Sequence, residues 1–289
     1  MDSISLKAMA KINLGLDVVR RREDGYHEVR MIMQNVYLYD TLRIEKCEQE
    51  GIHIKTNIGF LPTDENNLVY KAAGLLMDKY ECSGGLLINL SKHIPVAAGM
   101  AGGSTDAASA LYGVNRLFEL GLSKKELMEI GVKIGADVPY CIMRGTALSE
   151  GIGEVLTRLP AAPNCKVLIA KPSVSVSTKY VYTNLKLDNS TVHPDIDGMI
   201  EAIRTNNLYG VADKMGNVLE SVTEAEYPVI SEIKKFMKDN GALNSLMSGS
   251  GPTVFGIFDD DEKAEYCCDR LKEKGLAKQV FLTHFFNIA

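Results

Sequence analysis

A stretch of mostly small residues, from Pro95 to Thr105, carries the strongest chemical signal in the sequence. Small side chains let a backbone approach a ligand closely, and a helix is predicted to begin where this loop ends. The N–H groups of such a loop and of the helix's first turn can bind an anion, for which polyphosphate is a natural ligand. No G-x-x-x-x-G-K-[ST] string occurs anywhere, so this is not a P-loop. The alternative is a tight turn in which Ser104 or Thr105 only caps the helix.

A second glycine-containing loop, Ser248-Gly249-Ser250-Gly251, precedes a predicted strand. Its two glycines allow the backbone to come close to a ligand. The string lacks the G-x-S-x-G spacing of a nucleophile elbow, which excludes that kind of hydrolase site. An ordinary turn that enters a strand fits the same pattern.

Two charged residues lie where a charge is unexpected. Asp137 is predicted to follow the end of a helix, where the helix dipole disfavours an anion, so it should have a compensating cation or a catalytic task. Lys11 interrupts an apolar strand and should share one face with Asn13, because side chains alternate along a strand. A plain turn aspartate and an edge-strand lysine are the alternatives.

An aromatic and polar step, Gly25-Tyr26-His27-Glu28, follows a predicted turn. Tyr26 could stack on a flat ring, an interaction worth about 0.5–1.5 kcal/mol for an aromatic pair. The alternative is a half-buried tyrosine beside a hydrogen-bonded histidine.

Composition limits the classes of function. The chain has 289 residues and a formal net charge of −5, which argues against a broad nucleic-acid surface. Its six cysteines form no C-x-x-C string, so no zinc site is predicted and reduced thiols are expected. The N-terminus has no signal-peptide layout, and the uncharged stretch 241–258 is too rich in glycine and polar residues to cross a membrane. We therefore expect a cytoplasmic protein with no nucleic-acid or membrane partner.

Hydrophobic periodicity predicts the strands and helices that hold these residues. A strand over 3–19 carries Lys11 and Asn13 and ends in a turn at 23–25. The later predicted elements are a helix 65–80, a strand 86–90, a helix 104–117, a helix from 123 to about 135 that starts with a capping box, extended chain past 137–139, a strand 166–170, helices 178–185, 195–204, 207–222 and 226–239, a strand 253–258, a helix 261–274 and a strand 279–287. The proline-containing segment 159–164 predicts a boundary between domains 1–160 and 161–289. This order indicates an α+β protein of two packed halves with a cleft between them.

Taken in order, these segments resemble the GHMP kinases, which include galactokinase, homoserine kinase and mevalonate kinase. The resemblance spans essentially the whole chain and rests on five strings: Ala10-Lys11-Ile12-Asn13-Leu14, Asp24-Gly25-Tyr26-His27-Glu28, the Pro95–Thr105 loop, Gly135-Ala136-Asp137-Val138-Pro139 and Ser248-Gly249-Ser250-Gly251-Pro252. It implies a two-domain GHMP kinase fold with the ATP and substrate site in the cleft between the domains. It also implies phosphoryl transfer from ATP, with Mg²⁺, to the 2-hydroxyl of a cytidylated sugar alcohol. We expect a monomer or a homodimer.

The resemblance implies a role for each matching residue. Asp137 would be the catalytic base, and Lys11 would orient it and offset developing negative charge. The substrate would contact Asn13, Tyr26, His27, Thr178 and Tyr182, with His27 reading the cytosine edge and the two tyrosines packed around it. ATP would contact Pro95, Val96, Ala97, Ala98, Gly99, Met100, Ala101, Gly102, Gly103, Ser104, Thr105, Ser248, Gly249, Ser250 and Gly251, with Asn67 and Lys92 near the adenine and Ser104 or Thr105 near Mg²⁺.

The Pro95–Thr105 loop, called the phosphate loop below, departs from the family pattern. Ala97, Ala98 and Ala101 stand where glycine is common in the family. Alanine disfavours positive φ by about 1 kcal/mol or more, so we expect ordinary backbone angles at all three positions. Two other interpretations remain. One is another GHMP small-molecule kinase, acting on mevalonate, homoserine or a sugar; the other is a non-catalytic GHMP-fold sensor, which would be expected to have lost Lys11 or Asp137.

Overall fold

The computed structural model describes residues 1–288, which form two compact units. The first unit contains Met1–Ala10, Leu38–Val96 and Ala101–Arg144; the second contains Lys11–Tyr37, Ala97–Met100 and the chain from Gly145 on. Both units combine helices with strands, so the predicted α+β class is confirmed. The predicted boundary at 159–164 stays a prediction, and the compact units divide the chain at other positions.

Two long strands contribute residues to both units, and the remaining elements belong to one unit each. The long strands are β1 (Ser3–Arg21) and β2 (His27–Cys47). The first unit adds β3 (Gly51–Thr56), α1 (Leu68–Lys79), β4 (Gly85–Ser91), α2 (Gly102–Leu117), α3 (Lys124–Gly131) and α4 (Val138–Met143). The second adds β5 (Thr146–Glu150), β6 (Val155–Arg158), β7 (Lys166–Lys171), α5 (Thr178–Asn184), α6 (Ile196–Arg204), α7 (Leu208–Asp213), β8 (Gly216–Asn217), α8 (Glu220–Glu226), α9 (Val229–Asp239), β9 (Asn244–Met247), β10 (Val254–Phe258), α10 (Asp261–Lys274) and β11 (Gln279–His284). Among residues 1–288, none of the helices has the length and apolar character needed to span a bilayer.

In the first unit, β4 lies between two strands, one of which, β2, packs against the helix that follows the Pro95–Thr105 loop. Ile88 of β4 pairs with Ile54 of the parallel strand β3 and with Ile44 of the antiparallel strand β2. Helix α2 approaches β2 so closely that a Cβ added to Gly113 would lie 2.5 Å from Cδ1 of Ile44. Because no larger side chain fits there without a shift, this contact holds α2 tightly against the strand.

In the second unit, a four-stranded antiparallel sheet in the order β11-β7-β10-β9 leads into the second glycine loop. The side chains of Phe255 and Phe258 on β10 are fully buried and anchor this sheet. The loop joins β9 to β10, so both of its ends are fixed by strand pairing. The two-residue strand β8 pairs in parallel with β1, where Asn217 lies opposite Leu16.

The helix predicted over 207–222 is wrong, because the chain there forms α7, β8 and α8. Asn207 caps α7 by accepting a hydrogen bond from Gly210 N at 3.0 Å, and pairing with β1 then draws residues 216–217 into an extended conformation. Strand β9 was not predicted, and α3 ends at Gly131 rather than near 135. The capping box at Ser123 and the helix 261–274 are confirmed.

Candidate active site

Lys11 and Asn13 form a buried polar pair in the middle of β1. The exposed fraction is 4% for Lys11 and 0% for Asn13. The ammonium of Lys11 donates to Asn13 Oδ1 at 2.7 Å, and Asn13 Nδ2 lies 3.4 Å from the sulfur of Met31. The prediction that these two side chains share a face is confirmed, whereas a solvated edge-strand lysine is wrong. A lysine held in this way keeps its charge in a fixed position.

The backbone of the phosphate loop is more strained than the sequence predicted. Ala97, Gly99 and Ala101 have φ of 51°, 71° and 55°, all in the left-handed region. The expectation of ordinary angles is therefore wrong at Ala97 and Ala101, while Ala98 does have a negative φ. The sign of φ thus alternates along the loop, and successive residues of opposite hand turn their N–H groups into a concave, anion-binding nest.

Helix α2 begins directly after this loop, at Gly102, two residues before the predicted start. Its N-cap is Ala101, which offers no side-chain hydrogen bond, so the alternative that Ser104 or Thr105 caps the helix is wrong. Thr105 N donates to Ala101 O at 2.9 Å as the first intrahelical bond. The N–H groups of Gly102, Gly103 and Ser104 precede that bond and remain available for an anion at the positive end of the helix.

Within the second unit, the Ser248–Gly251 loop packs directly on the segment Ala97–Met100. The Ser248 hydroxyl donates to Gly99 O at 2.9 Å. A Cβ added to Gly99 would lie only 2.1 Å from Ser248 O, so this contact requires glycine at 99. The backbone N–H of Lys11 also donates to Met100 O, at 3.2 Å. The two predicted loops and the Lys11 strand are therefore joined through the backbone.

Thr178 and Asn13 also lie beside the second loop. The hydroxyl of Thr178, on α5, is 2.8 Å from that of Ser250. A Cβ added to Gly249 would lie 3.7 Å from Asn13 Oδ1. The second unit thus brings together one lysine, two polar side chains, the Ser248–Gly251 loop and the segment Ala97–Met100 of the first loop, which were predicted separately.

The predicted base-binding residues include a close aromatic pair. The rings of His27 and Tyr182 have centroids 5.1 Å apart and planes inclined by 40°. Burial, together with the positive charge of Arg21, holds the pKa of His27 below its ordinary value. The imidazole is therefore neutral near pH 7, with one nitrogen that donates and one that accepts. Tyr26 is 60% exposed, so its ring is accessible to a ligand.

Asp137 lies at the start of a helix, not just past the end of one. It is the N-cap residue of α4, whose first turn contains Pro139, and α3 has already ended at Gly131. The predicted extended chain past residues 137–139 is therefore wrong. A proline in the first helical turn loses no hydrogen bond, because the N–H groups there have no partner inside the helix. Asp137 therefore lies at the N-terminal end of α4, and the prediction that it lies past the C-terminal end of a helix is wrong.

Lys92 and Asn67 both have their polar groups engaged within the first unit. The Lys92 ammonium contacts Asp40 and lies 2.6 Å from Asp106 Oδ2, and its side chain is only 5% exposed. Asn67 caps α1 by accepting from Val69 N at 2.9 Å. Sequence reasoning missed the two buried carboxylates. For both residues, proximity to adenine stays a prediction.

Comparisons with known proteins identify the family of this chain. The N terminal domain of the GHMP kinases matches residues 67–145, and the C terminal domain matches residues 199–277. A protein of Lachnospira eligens named 4-diphosphocytidyl-2-C-methyl-D-erythritol kinase is 63% identical over 99% of this chain and 100% of its own length. A protein of the same name from Caldicellulosiruptor bescii is 51% identical over 97% of both chains.

Solved structures show the same relationship. The crystal structure of a 4-(cytidine 5'-diphospho)-2C-methyl-D-erythritol kinase superposes with a TM-score of 0.85 and 29% identity, covering 99% of this chain and 100% of the other. A homoserine kinase from Cytophaga hutchinsonii superposes with a TM-score of 0.77 and 21% identity over 100% of this chain and 95% of its own, which shows a shared fold. The chain therefore belongs to the GHMP kinase family, in the branch that contains the 4-diphosphocytidyl-2-C-methyl-D-erythritol kinases.

Proposed function

We propose that this protein uses ATP to phosphorylate the 2-hydroxyl of 4-diphosphocytidyl-2-C-methyl-D-erythritol, giving the 2-phosphate and ADP in the non-mevalonate route to isoprenoids. One observation carries the choice of substrate within the family, namely the pairing of a neutral His27 with Tyr182. A flat ring beside a histidine suits a pyrimidine, whereas mevalonate and homoserine have no ring to recognise. The relatives with 63% and 51% identity, both named for this substrate, support the same choice.

Recognition of cytosine follows from the chemistry of His27. A neutral imidazole presents one donor and one acceptor, and the cytosine edge offers an amino donor beside ring and carbonyl acceptors. The low pKa of His27 keeps the ring in this neutral form. Tyr182 and the accessible ring of Tyr26 would pack against the base and exclude water from these hydrogen bonds.

ATP would be bound mainly through backbone N–H groups. The alternating φ of residues 97–101 and the open first turn of α2 provide such donors in succession. Phosphoryl transfer needs positioning and charge neutralisation more than covalent help from the protein. In this scheme Lys11 neutralises charge that develops during transfer, and Asp137 accepts the proton of the attacking hydroxyl.

Magnesium would bind through a small set of protein oxygens. No group of three His, Cys, Asp or Glu residues suitable for a metal occurs in the described residues, but Mg²⁺ commonly takes one or two protein ligands together with substrate phosphates and waters. Ser104 is half-buried at the start of α2, and its hydroxyl fits such a role, whereas Thr105 is only 1% exposed. When bound, the metal would supply charge neutralisation for the β- and γ-phosphates.

The competing interpretations make different demands on the site. A GHMP kinase acting on mevalonate or homoserine would have no ring to place beside the His27–Tyr182 pair, and one acting on a sugar would have no base edge for the neutral His27 to recognise. A non-catalytic sensor would have no use for Lys11 held in a fixed position beside Asn13. A cytoplasmic location, the absence of a nucleic-acid partner and a monomeric or homodimeric state stay predictions.

The proposal is tested by measuring ADP release from purified protein with Mg-ATP against a panel of acceptors. The panel contains 4-diphosphocytidyl-2-C-methyl-D-erythritol, mevalonate, homoserine and galactose. We expect turnover on the cytidylated acceptor alone, with the 2-phosphate identified by NMR. Turnover on another acceptor would refute the role of the His27–Tyr182 pair, and no turnover on any acceptor would favour the sensor.

A further inference from the structure

We propose that Asn217 is a positioning residue that fixes the direction in which the backbone N–H groups of the Ser248–Gly251 loop point. The proposal rests on the proposed function, because it takes this loop to lie against the transferred phosphoryl group. Asn217 belongs to β8 and is only 6% exposed. Nothing in the sequence pattern singled it out, since it falls inside the stretch predicted as one helix.

The side-chain amide of Asn217 is fully used. Its Nδ2 donates to Met247 O and to Gly249 O, both at 2.8 Å. Its Oδ1 accepts from Leu219 N at 3.0 Å, which fixes the orientation of the amide. One side chain therefore holds two carbonyl groups of the turn toward itself.

Those two hydrogen bonds determine where the opposite side of the loop points. In a trans peptide, C=O and N–H point in opposite directions, so holding Gly249 O toward Asn217 turns Ser250 N–H away from it. In the described part of the chain, neither Gly249 N–H nor Ser250 N–H has an acceptor. Gly249 has a φ of 59°, and N–H groups around such a residue form a concave anion site. These are the donors that we expect to contact a phosphoryl oxygen.

A neighbouring carboxylate fixes the start of the same loop. Glu220 Oε1 accepts from Met247 N at 2.7 Å, and its other oxygen lies 2.6 Å from the Lys234 ammonium. The peptide groups on both sides of Met247 are thus held by α8 and β8. Other hydrogen bonds also hold this turn, including Gly251 N on Ser248 O at 3.0 Å and the Ser248 hydroxyl on Gly99 O. The bond from Asn217 is the one that restrains the Gly249–Ser250 peptide, because glycine itself imposes little preference on φ.

The test is Asn217→Asp, which keeps the shape of the side chain and removes both donors. At neutral pH we expect kcat to fall by roughly 10- to 100-fold, as for a misplacement of about 1 Å, with the KM of the acceptor changed less than about threefold. A protonated aspartate regains one donor, so the ratio of variant to wild-type kcat should rise as the pH is lowered from 8 to 5.5. A role limited to packing would not give this pH profile.

Asn240→Asp is the matched control. Asn240 is a half-buried residue at the end of α9, where its Nδ2 donates to Phe236 O at 2.8 Å. The substitution Asn240→Asp makes the same chemical change outside the loop, so kcat and its pH profile should stay as in the wild type. A wild-type pH profile in folded Asn217→Asp would overturn the proposal, and so would the same loss of kcat in both variants.

A binding measurement separates this proposal from the proposed function. By calorimetry, Asn217→Asp should weaken binding of a β,γ-imido ATP analogue by at least about fivefold and leave ADP binding within about twofold. No acceptor is needed, so a wild type inactive on the whole panel would refute the function and leave this comparison valid. An equal loss of affinity for the ATP analogue and for ADP would overturn the positioning role. If circular dichroism shows that Asn217→Asp does not fold, the neutral variant Asn217→Ser replaces it, and wild-type kcat there would also overturn the proposal.

Discussion

Replacing the alanines of the phosphate loop with glycine should have opposite effects at neighbouring positions. Ala101 has a φ of 55°, in the left-handed region, and Ala98 does not. An alanine in that region costs about 1–2 kcal/mol, which Ala101→Gly removes. Glycine also gives the unfolded chain more freedom, at a cost of about 0.5–1 kcal/mol. The net expectation for Ala101→Gly is an increase in stability of about 0.5–1 kcal/mol, helped by the preference for glycine over alanine at an N-cap.

Ala98→Gly has the same unfolded-state cost with no strain to relieve. Ala98 is 3% exposed, so the lost methyl also removes about 0.8 kcal/mol of burial. We expect Ala98→Gly to lower the free energy of unfolding by about 1.5 kcal/mol, so that the unfolding free energies of the two variants differ by about 2 kcal/mol. Ala97 is exposed and has a φ of 51°, so Ala97→Gly relieves the same strain without losing a buried methyl and should give a gain similar to that of Ala101→Gly.

The assay is urea unfolding of wild type and variants without nucleotide. The chain has no tryptophan, so far-UV circular dichroism is the appropriate signal. A change in the midpoint with a constant slope reports stability. The midpoint of Ala101→Gly should rise and that of Ala98→Gly should fall. If Ala101→Gly loses as much as Ala98→Gly, residue 101 does not have a left-handed conformation, and the nest in the phosphate loop is refuted.

Three further perturbations test the site. Asp137→Asn should lower kcat by roughly 10²–10⁴, the usual contribution of a general base, in a steady-state assay of ADP release; a wild-type rate would remove Asp137 from that role. His27→Ala should raise KM for the cytidylated acceptor about tenfold and leave KM for ATP unchanged, whereas an equal rise in both would indicate general damage. Burial raises the pKa of Asp106 well above its ordinary value of 3.8, so its contribution to stability is complete below that value and is lost as the pH rises toward the raised pKa. In thermal melts, the melting temperature of Asp106→Asn should therefore rise relative to that of the wild type as the pH is raised from 5 to 8. A constant difference between the two melting temperatures would contradict the pKa shift.

Features set by a few adjacent residues were predictable from the sequence. The capping box at Ser123 needs only Glu126 three residues later, and the structure shows both reciprocal hydrogen bonds. The pairing of Lys11 with Asn13 needs only the alternation of a strand. At Asp137 two local rules competed, and the preference of proline for the first helical turn prevailed over the extended tendency of the residue before it.

Features set by distant residues were not predictable. The angles of Ala97 and Ala101 belong to a loop held by residues far along the chain, through Lys11 N on Met100 O and the Ser248 hydroxyl on Gly99 O. No local preference of alanine indicates such contacts. The break in the predicted helix 207–222 likewise depends on pairing with β1, about 200 residues earlier in the chain.

The contact between the two loops makes the geometry of the site depend on backbone more than on side-chain chemistry. Gly99 has no room for a Cβ because Ser248 O would be 2.1 Å away, and the Ser248 hydroxyl in turn holds Gly99 O. Each loop therefore has its conformation only while the other is in place. For a reaction in which positioned donors and charge neutralisation do most of the work, this mutual dependence is an advantage, since the donors need no rearrangement when the phosphates bind. It also means that residues with no reactive group, such as Gly99, should be as sensitive to substitution as Lys11.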